Sequence, residues 1–199
     1  MSEIVCVTNR KLCREDFLDR MEAIAKERPA GVILREKDLS EEAYRELAVS
    51  VTEICKAYGT PCILHTFSKV AVQLGAEAIH LSLPVLREMS KEDKKRFSVI
   101  GASCHSLPEA MEAERLGCTY LTAGHVFATD CKKGLPGRGT DFLRELCENV
   151  TVPVYGIGGI DASNYREVLN AGAKGCCIMS GLMRCDEVKS YMEDFTNEV

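Results

Sequence analysis

No apolar run in this chain approaches the roughly 20 residues that cross a bilayer as a helix, so a membrane-spanning helix is not expected. The start, Met1-Ser2-Glu3-Ile4, has neither the basic opening nor the apolar stretch of a signal peptide. Nothing has the composition of a linker, so residues 1–199 are expected to form a single domain. There is no massed stripe of cations: the formal charge is -5, with lysine and arginine interspersed among acids, which argues against a nucleic-acid binder. The eleven cysteines include no C-x-x-C pair and no paired Cys/His spacing, so zinc and disulfide-framework readings fall away. Most lie in apolar contexts, such as Cys62 beside Ile63 and Cys176-Cys177 before Ile178, where a reduced thiol acts as a small hydrophobe. Reduced thiols suit the cytosol, the expected compartment. Cys131, inside a glycine-rich loop, is the exception. No carboxylates converge as metal ligands, and no nucleophile triad is visible.

What remains is a chain that is 46% hydrophobic and 28% charged, enough to bury a core and stay soluble. Short β-branched runs alternate with longer amphipathic stretches. Strands are predicted at Ile4–Thr8, Gly31–Arg35, Pro61–His65, Ala78–Leu81, Ser98–Ser103, Tyr120–Ala123, Pro153–Ile157 and Gly175–Met179. A helix capped by Ser40 is predicted to run to about Tyr58, with Ala43, Leu47, Val51, Ile54 and Cys55 as its apolar stripe. Others are predicted at Asp16–Glu27, Leu107–Leu116, Asp141–Glu148, Asn164–Ala171 and Asp186–Thr196, with short ones after the third and fourth strands. Leu74-Gly75-Ala76, Leu116-Gly117-Cys118 and Ala171-Gly172-Ala173 repeat one device, a helix stopped by glycine directly before a strand. Eight such alternations with short connections favour a single compact (β/α)₈ TIM barrel over an open doubly wound sheet.

In that architecture the chemistry lies where strands end and helices begin. Reactive residues do cluster there. Arg35 and Lys37 follow strand two, Ser103 and His105 end strand five, and a long loop follows strand six. That loop runs from Gly124 to Gly139 and carries His125, Thr129, Asp130, Cys131, Lys132, Lys133 and Arg138. It is far longer than the about two to five residues of a hairpin, and long ordered loops usually carry function. Its glycines admit a ligand to the backbone, its cations suit an anion, and His125 can move a proton near neutral pH. Gly158-Gly159 and Ser180-Gly181 close strands seven and eight, the pair of loops that frequently cradles a phosphate in barrels. Arg35 suits a two-pronged grip on a carboxylate or phosphate. His65 and His105, at strand ends, are candidates to line the pocket, whereas His80, inside an apolar strand, reads as structural.

Across nearly its whole length the chain resembles the thiamine-phosphate synthase superfamily, and within it the thiazole tautomerases. The resemblance rests on Leu34-Arg35-Glu36-Lys37, on Gly101-Ala102-Ser103-Cys104-His105-Ser106 with Glu109-Ala110, and on the last two glycine loops. The run Gly124-His125-Val126-Phe127 through Thr129-Asp130-Cys131-Lys132-Lys133-Gly134 to Gly137-Arg138-Gly139 is similar to the tautomerase signature. It implies a barrel binding a thiazole ethyl phosphate, with His125 as the proton-moving residue and Gly158, Gly159, Ser180 and Gly181 on the phosphate. Arg35, Lys37, Ser103, Thr129 and Lys132 complete the implied substrate site, with a cation on the substrate carboxylate. The synthases of the superfamily join the thiazole to an aminopyrimidine diphosphate with Mg²⁺, held by acidic segments after strands three and four. Here those places read Leu64-His65-Thr66-Phe67 and Leu81-Ser82-Leu83-Pro84-Val85. The leading expectation is therefore a tautomerase that needs no cofactor and no metal. Mg²⁺ enters only under the synthase alternative, and a non-catalytic sensor of phosphorylated thiazoles is a third reading. The expected partner is a small phosphorylated thiazole, with no nucleic acid and no membrane; a homodimer is allowed.

Overall fold

Eight short runs of mostly β-branched and small residues form eight parallel strands, β1 Glu3–Val7, β2 Gly31–Leu34, β3 Cys62–His65, β4 Ala78–Ser82, β5 Val99–Cys104, β6 Tyr120–Gly124, β7 Val154–Ile157 and β8 Gly175–Ile178. Each pairs with its sequence neighbours, and β8 pairs back onto β1 with Ile4 opposite Cys176 and Cys6 opposite Ile178, closing a (β/α)₈ barrel. The computed structural model describes residues 3–129, 132 and 134–195.

The helices outside the barrel are α1 Phe17–Lys26, α2 Glu41–Tyr58, α3 Ser68–Gln73, α4 Leu83–Glu88, α5 Lys91–Lys94, α6 Leu107–Arg115, α7 Gly139–Asn149, α8 Tyr165–Asn170, α9 Ser180–Arg184 and α10 Val188–Glu193. Local chemistry sets their ends. Asp16, Ser40 and Ser106 each accept a first-turn backbone N–H, the usual N-cap bond. Gly75, Gly117 and Gly172, the three repeated glycines, all have left-handed φ, as a helix stop followed at once by a strand requires. No helix among the described residues is long and apolar enough to cross a membrane.

Alternation along each strand divides the apolar residues into two cores. Ile4, Cys6, Val32, Leu34, Ile79, Leu121 and Cys176 face outward into the layer between sheet and helices. Val5, Val7, Ile33, Ile63, Tyr120 and Cys177 face inward and fill the lower barrel. Of the ten described cysteines none is bonded to another and six are buried, as expected of small hydrophobes.

Two expectations shift. On α2 the fully buried residues are Tyr44, Ala48, Val51 and Cys55: Val51 and Cys55 are as predicted, while Ala43, Leu47 and Ile54 are only half-buried and Tyr44 takes the inner place. The reason is polar: the Tyr44 hydroxyl donates to the Leu34 carbonyl at 2.7 Å and accepts from the His65 N–H at 2.8 Å. That residue is drawn inward to tie the ends of β2 and β3. The predicted C-terminal helix Asp186–Thr196 is shorter, because Glu187 caps α10 by accepting from Lys189 and Ser190 N–H, and a separate helix, α9, starts directly at Ser180. Thr196 lies outside the described residues.

Replacing Tyr44 by Phe strands one buried acceptor and one buried donor. The expected loss is roughly 1–3 kcal/mol, read as a lower urea midpoint with an unchanged m-value; an unaltered midpoint would contradict this role.

Candidate functional site

The inward-facing positions change character toward the C-terminal ends of the strands. Above the apolar plug, β3, β4, β5 and β6 turn His65, His80, Ser103 and Thr122 inward, and these form the floor of a cavity of about 530 Å³. A cavity of this size suits a small molecule.

One wall is built by the loop after β2. Thr8 Oγ1 accepts the Arg35 N–H at 2.9 Å and donates to Glu36 Oε1 at 2.7 Å. Glu36 is buried and also takes the Arg10 N–H at 3.0 Å and its guanidinium at 2.9 Å. Asp38 accepts two further bonds from the same guanidinium, which with Lys11 holds its carboxyl well below the usual range. The two acids are thus fastened to Arg10 on the outside, while Arg35 and Lys37 line the cavity, joined by Lys132 from the loop after β6. Burial, and then Arg35 and Lys132, depress the pKa of Lys37. Three cations that repel one another across a partly desolvated space form a site for an anion, whose charge offsets that repulsion.

A second wall is glycine. Gly158 and Gly159 have left-handed φ, and a side chain on either would run into His125 or into Phe127 and Ala128. This close approach lets the loop after β6 lie on β7, where Val126 N–H donates to Ile157 O at 2.9 Å and Phe127 N–H to Gly158 O at 3.0 Å. The Gly158 and Gly159 N–H groups make no backbone hydrogen bond among the described residues. The first N–H groups of α9, at Ser180 and Gly181, have no partner within that helix.

His125 is anchored by this zipper and lines the same cavity. Its Nε2 makes a long 3.4 Å contact to Leu135 O. In the neutral ring a proton at Nε2 meets that acceptor and leaves Nδ1 as the basic nitrogen. His105 has the reverse arrangement: its Nδ1 donates to Gly124 O at 2.8 Å, leaving Nε2 basic. His65 and His80 stack with centroids 5.4 Å apart. Burial, helped by His80 and by Lys37 and Arg35, pushes the His65 pKa down to about 2; burial, helped by Lys37, pushes that of His80 down to about 3. The floor is therefore neutral beneath a cationic wall.

The proton-moving residue and the nine substrate-site residues that the resemblance implies all line this one cavity, His125, Arg35, Lys37, Ser103, Thr129, Lys132, Gly158, Gly159, Ser180 and Gly181, as do the candidates His65 and His105. Asp130, Cys131 and Lys133 lie outside the described residues. Arg138 is turned away, its guanidinium 5.4 Å over the Phe142 ring. His80, read as structural, is buried but also reaches the floor. Sequence reasoning missed Thr122, Ser82 and Glu109. Period-two counting from Tyr120 and Ala78 would have found the first two, because Thr122 and Ser82 are the next polar inward positions.

Comparisons with known proteins agree with this geometry. The profile of a family described as Thiamine monophosphate synthase matches residues 4–182. A thiamine-phosphate synthase of Clostridium acetobutylicum is 32% identical over 193 residues, covering 94% of this chain and 90% of the relative. Another from Shouchella clausii is 36% identical over 163 residues, covering 79% and 76%. Among solved structures, a thiamine phosphate pyrophosphorylase from Pyrococcus furiosus superposes with a TM-score of 0.84 at 28% identity, covering 98% of this chain and 93% of the other.

The depressed histidines set an acid limit. From their ordinary 6.5 downward the unfolded chain takes up protons that the folded floor resists, so stability is unaffected above about 6.5 and falls below it. The slope is expected to approach about 1.4 kcal/mol per pH unit for each ring. Urea midpoints taken between neutral pH and pH 5 should show it, and His65→Gln should flatten it by about half; a slope unchanged by that substitution would be the contrary result.

Proposed function

Because the chain belongs to the thiamine monophosphate synthase family, we propose that its cavity takes a phosphorylated thiazole and that it acts as a thiazole tautomerase. The reaction moves one proton within a carboxythiazole ethyl phosphate and brings an exocyclic double bond into the ring, which becomes aromatic. One observation carries this reading: His125 lines the same cavity as the glycine loops after β7 and β8 and the cations Arg35, Lys37 and Lys132.

Each part then has a task. The N–H groups of Gly158, Gly159, Ser180 and Gly181 hold the phosphate, as main-chain donors at loop and helix starts do. Arg35, Lys37 and Lys132 hold the carboxylate. A carboxylate beside the carbon that loses its proton opposes the build-up of negative charge there, and the cations offset that opposition. Thr129, on the loop that carries His125, borders the substrate. His125 removes the proton from the ring carbon and returns one to the exocyclic carbon, so proton and electron count balance without a second reactant.

The names of the relatives favour a second reading, a thiamine-phosphate synthase that handles an aminopyrimidine diphosphate with Mg²⁺. The donor set here does not fit that ion. A hard dication takes carboxylate and carbonyl oxygens, yet β3 and β4 end in His65-Thr66-Phe67 and Ser82-Leu83-Pro84. Among the described residues lining the cavity the one carboxylate is Glu109, which accepts the His105 N–H at 2.7 Å, and no group of three or more metal-ligating side chains occurs. Glu36 is committed to Thr8 and Arg10.

Incubation with the carboxylated dihydrothiazole phosphate, followed spectroscopically, is expected to give aromatisation at equal rates with and without Mg²⁺. His125→Asn should lower the rate on the order of 10²-fold or more while largely keeping phosphate affinity. Mg²⁺-dependent formation of thiamine phosphate would decide for the synthase instead, and binding without turnover for a sensor.

A further inference from the structure

The polar floor of the cavity is a chain of side chains whose hydrogen atoms can be assigned one by one. Tyr120 is buried, and its hydroxyl has one partner among the described residues, His80 Nδ1 at 2.9 Å. A buried phenol hydrogen with a single neighbour in reach is donated to it. Gly101 makes the contact possible, because a side chain there would run into both the Tyr120 and the His80 rings.

A neutral imidazole has one donor and one acceptor nitrogen. Burial keeps His80 neutral, so with Nδ1 accepting from Tyr120 its proton sits on Nε2. That nitrogen is 2.8 Å from Ser103 Oγ. Thr122 Oγ1 lies 3.3 Å from the same oxygen and 3.4 Å from His80 Nε2. A protonated Nε2 cannot accept, so the Thr122 hydrogen goes to Ser103. Two donors now occupy both lone pairs of the Ser103 oxygen, and its own hydrogen is left for the cavity that Ser103 lines.

We infer that Ser103 is an obligate hydrogen-bond donor to the ligand, its polarity set by Tyr120 through His80. The site then selects a small heterocyclic phosphate that presents an acceptor atom at this point, a ring nitrogen or a carboxylate oxygen, and disfavours one that presents N–H or O–H there. Tyr120, His80 and Thr122 are positioning residues. The choice of a thiazole as ligand rests on the function proposed above; the direction of the Ser103 bond does not.

Two measurements on the full chain test this. Proton–nitrogen correlation spectra of the free protein near neutral pH should show His80 with Nε2 protonated and Nδ1 bare. Tyr120→Phe removes the donor to Nδ1 and should move the ring toward the other tautomer, a change that a purely structural role for the phenol would not produce. A wild-type ring protonated on Nδ1 overturns the assignment whatever the activity. In calorimetry with the aromatic carboxythiazole ethyl phosphate, which does not react further, Ser103→Ala should weaken binding about tenfold, one neutral hydrogen bond, and leave inorganic phosphate affinity unchanged. Equal weakening of both ligands, or of neither, overturns the inference. Should the dihydrothiazole not turn over while the spectra show protonated Nε2, the tautomerase reading falls and the donor assignment stands.

Discussion

The pairing of β8 with β1 is the constraint on which the rest depends. It satisfies the backbone donors and acceptors that two edge strands would otherwise expose, and it forces the C-terminal ends of all eight strands onto one rim. Only then do the loop after β2 and the loops after β6, β7 and β8 face one another across a single cavity. Arg35 and Ser180, remote in sequence, come to the same stretch of rim, with only β1 between their strands, because the sheet has no ends.

Within that frame the site is sorted by electrostatics. Arg10 gathers the two acids, Glu36 and Asp38, on the outer side of the rim. Among the described residues, Arg35 and Lys37 beside them line the cavity and have no salt bridge to either acid. Below them the barrel offers neutral imidazoles and hydroxyls. Under the proposed function an anion is attracted to the mouth, and the heterocycle it carries meets uncharged groups at depth. The glycine wall adds donors that carry no net charge and need no side-chain ordering, a further preorganised element.

Much of this was legible beforehand. The eight strands and the closed barrel follow from period-two alternation, glycine stops and short connections, and the ten cavity residues from the rule that barrel chemistry sits after strands together with the resemblance to a known superfamily. On α2 the inward place of Tyr44 was missed, although Val51 and Cys55 were found, because apolar counting cannot see that the Tyr44 hydroxyl is needed by Leu34 and His65. The role of His80 was only half seen, since an imidazole in an apolar strand gives no sign of what stands across the barrel from it. Arg138 looked equivalent to Lys132 in the loop, and only its position over Phe142 separates them.

The sequence by itself determined the alternation of elements, the identity of the reactive residues and their placement at strand ends, because these depend on spacing along the chain. The tertiary structure decided which cations face the cavity, which acids are used up elsewhere, and which of Tyr120, His80, Thr122 and Ser103 come within hydrogen-bond reach of one another. Those outcomes turn on distances of about three ångströms between residues tens of positions apart, and such distances exist only once the barrel has closed.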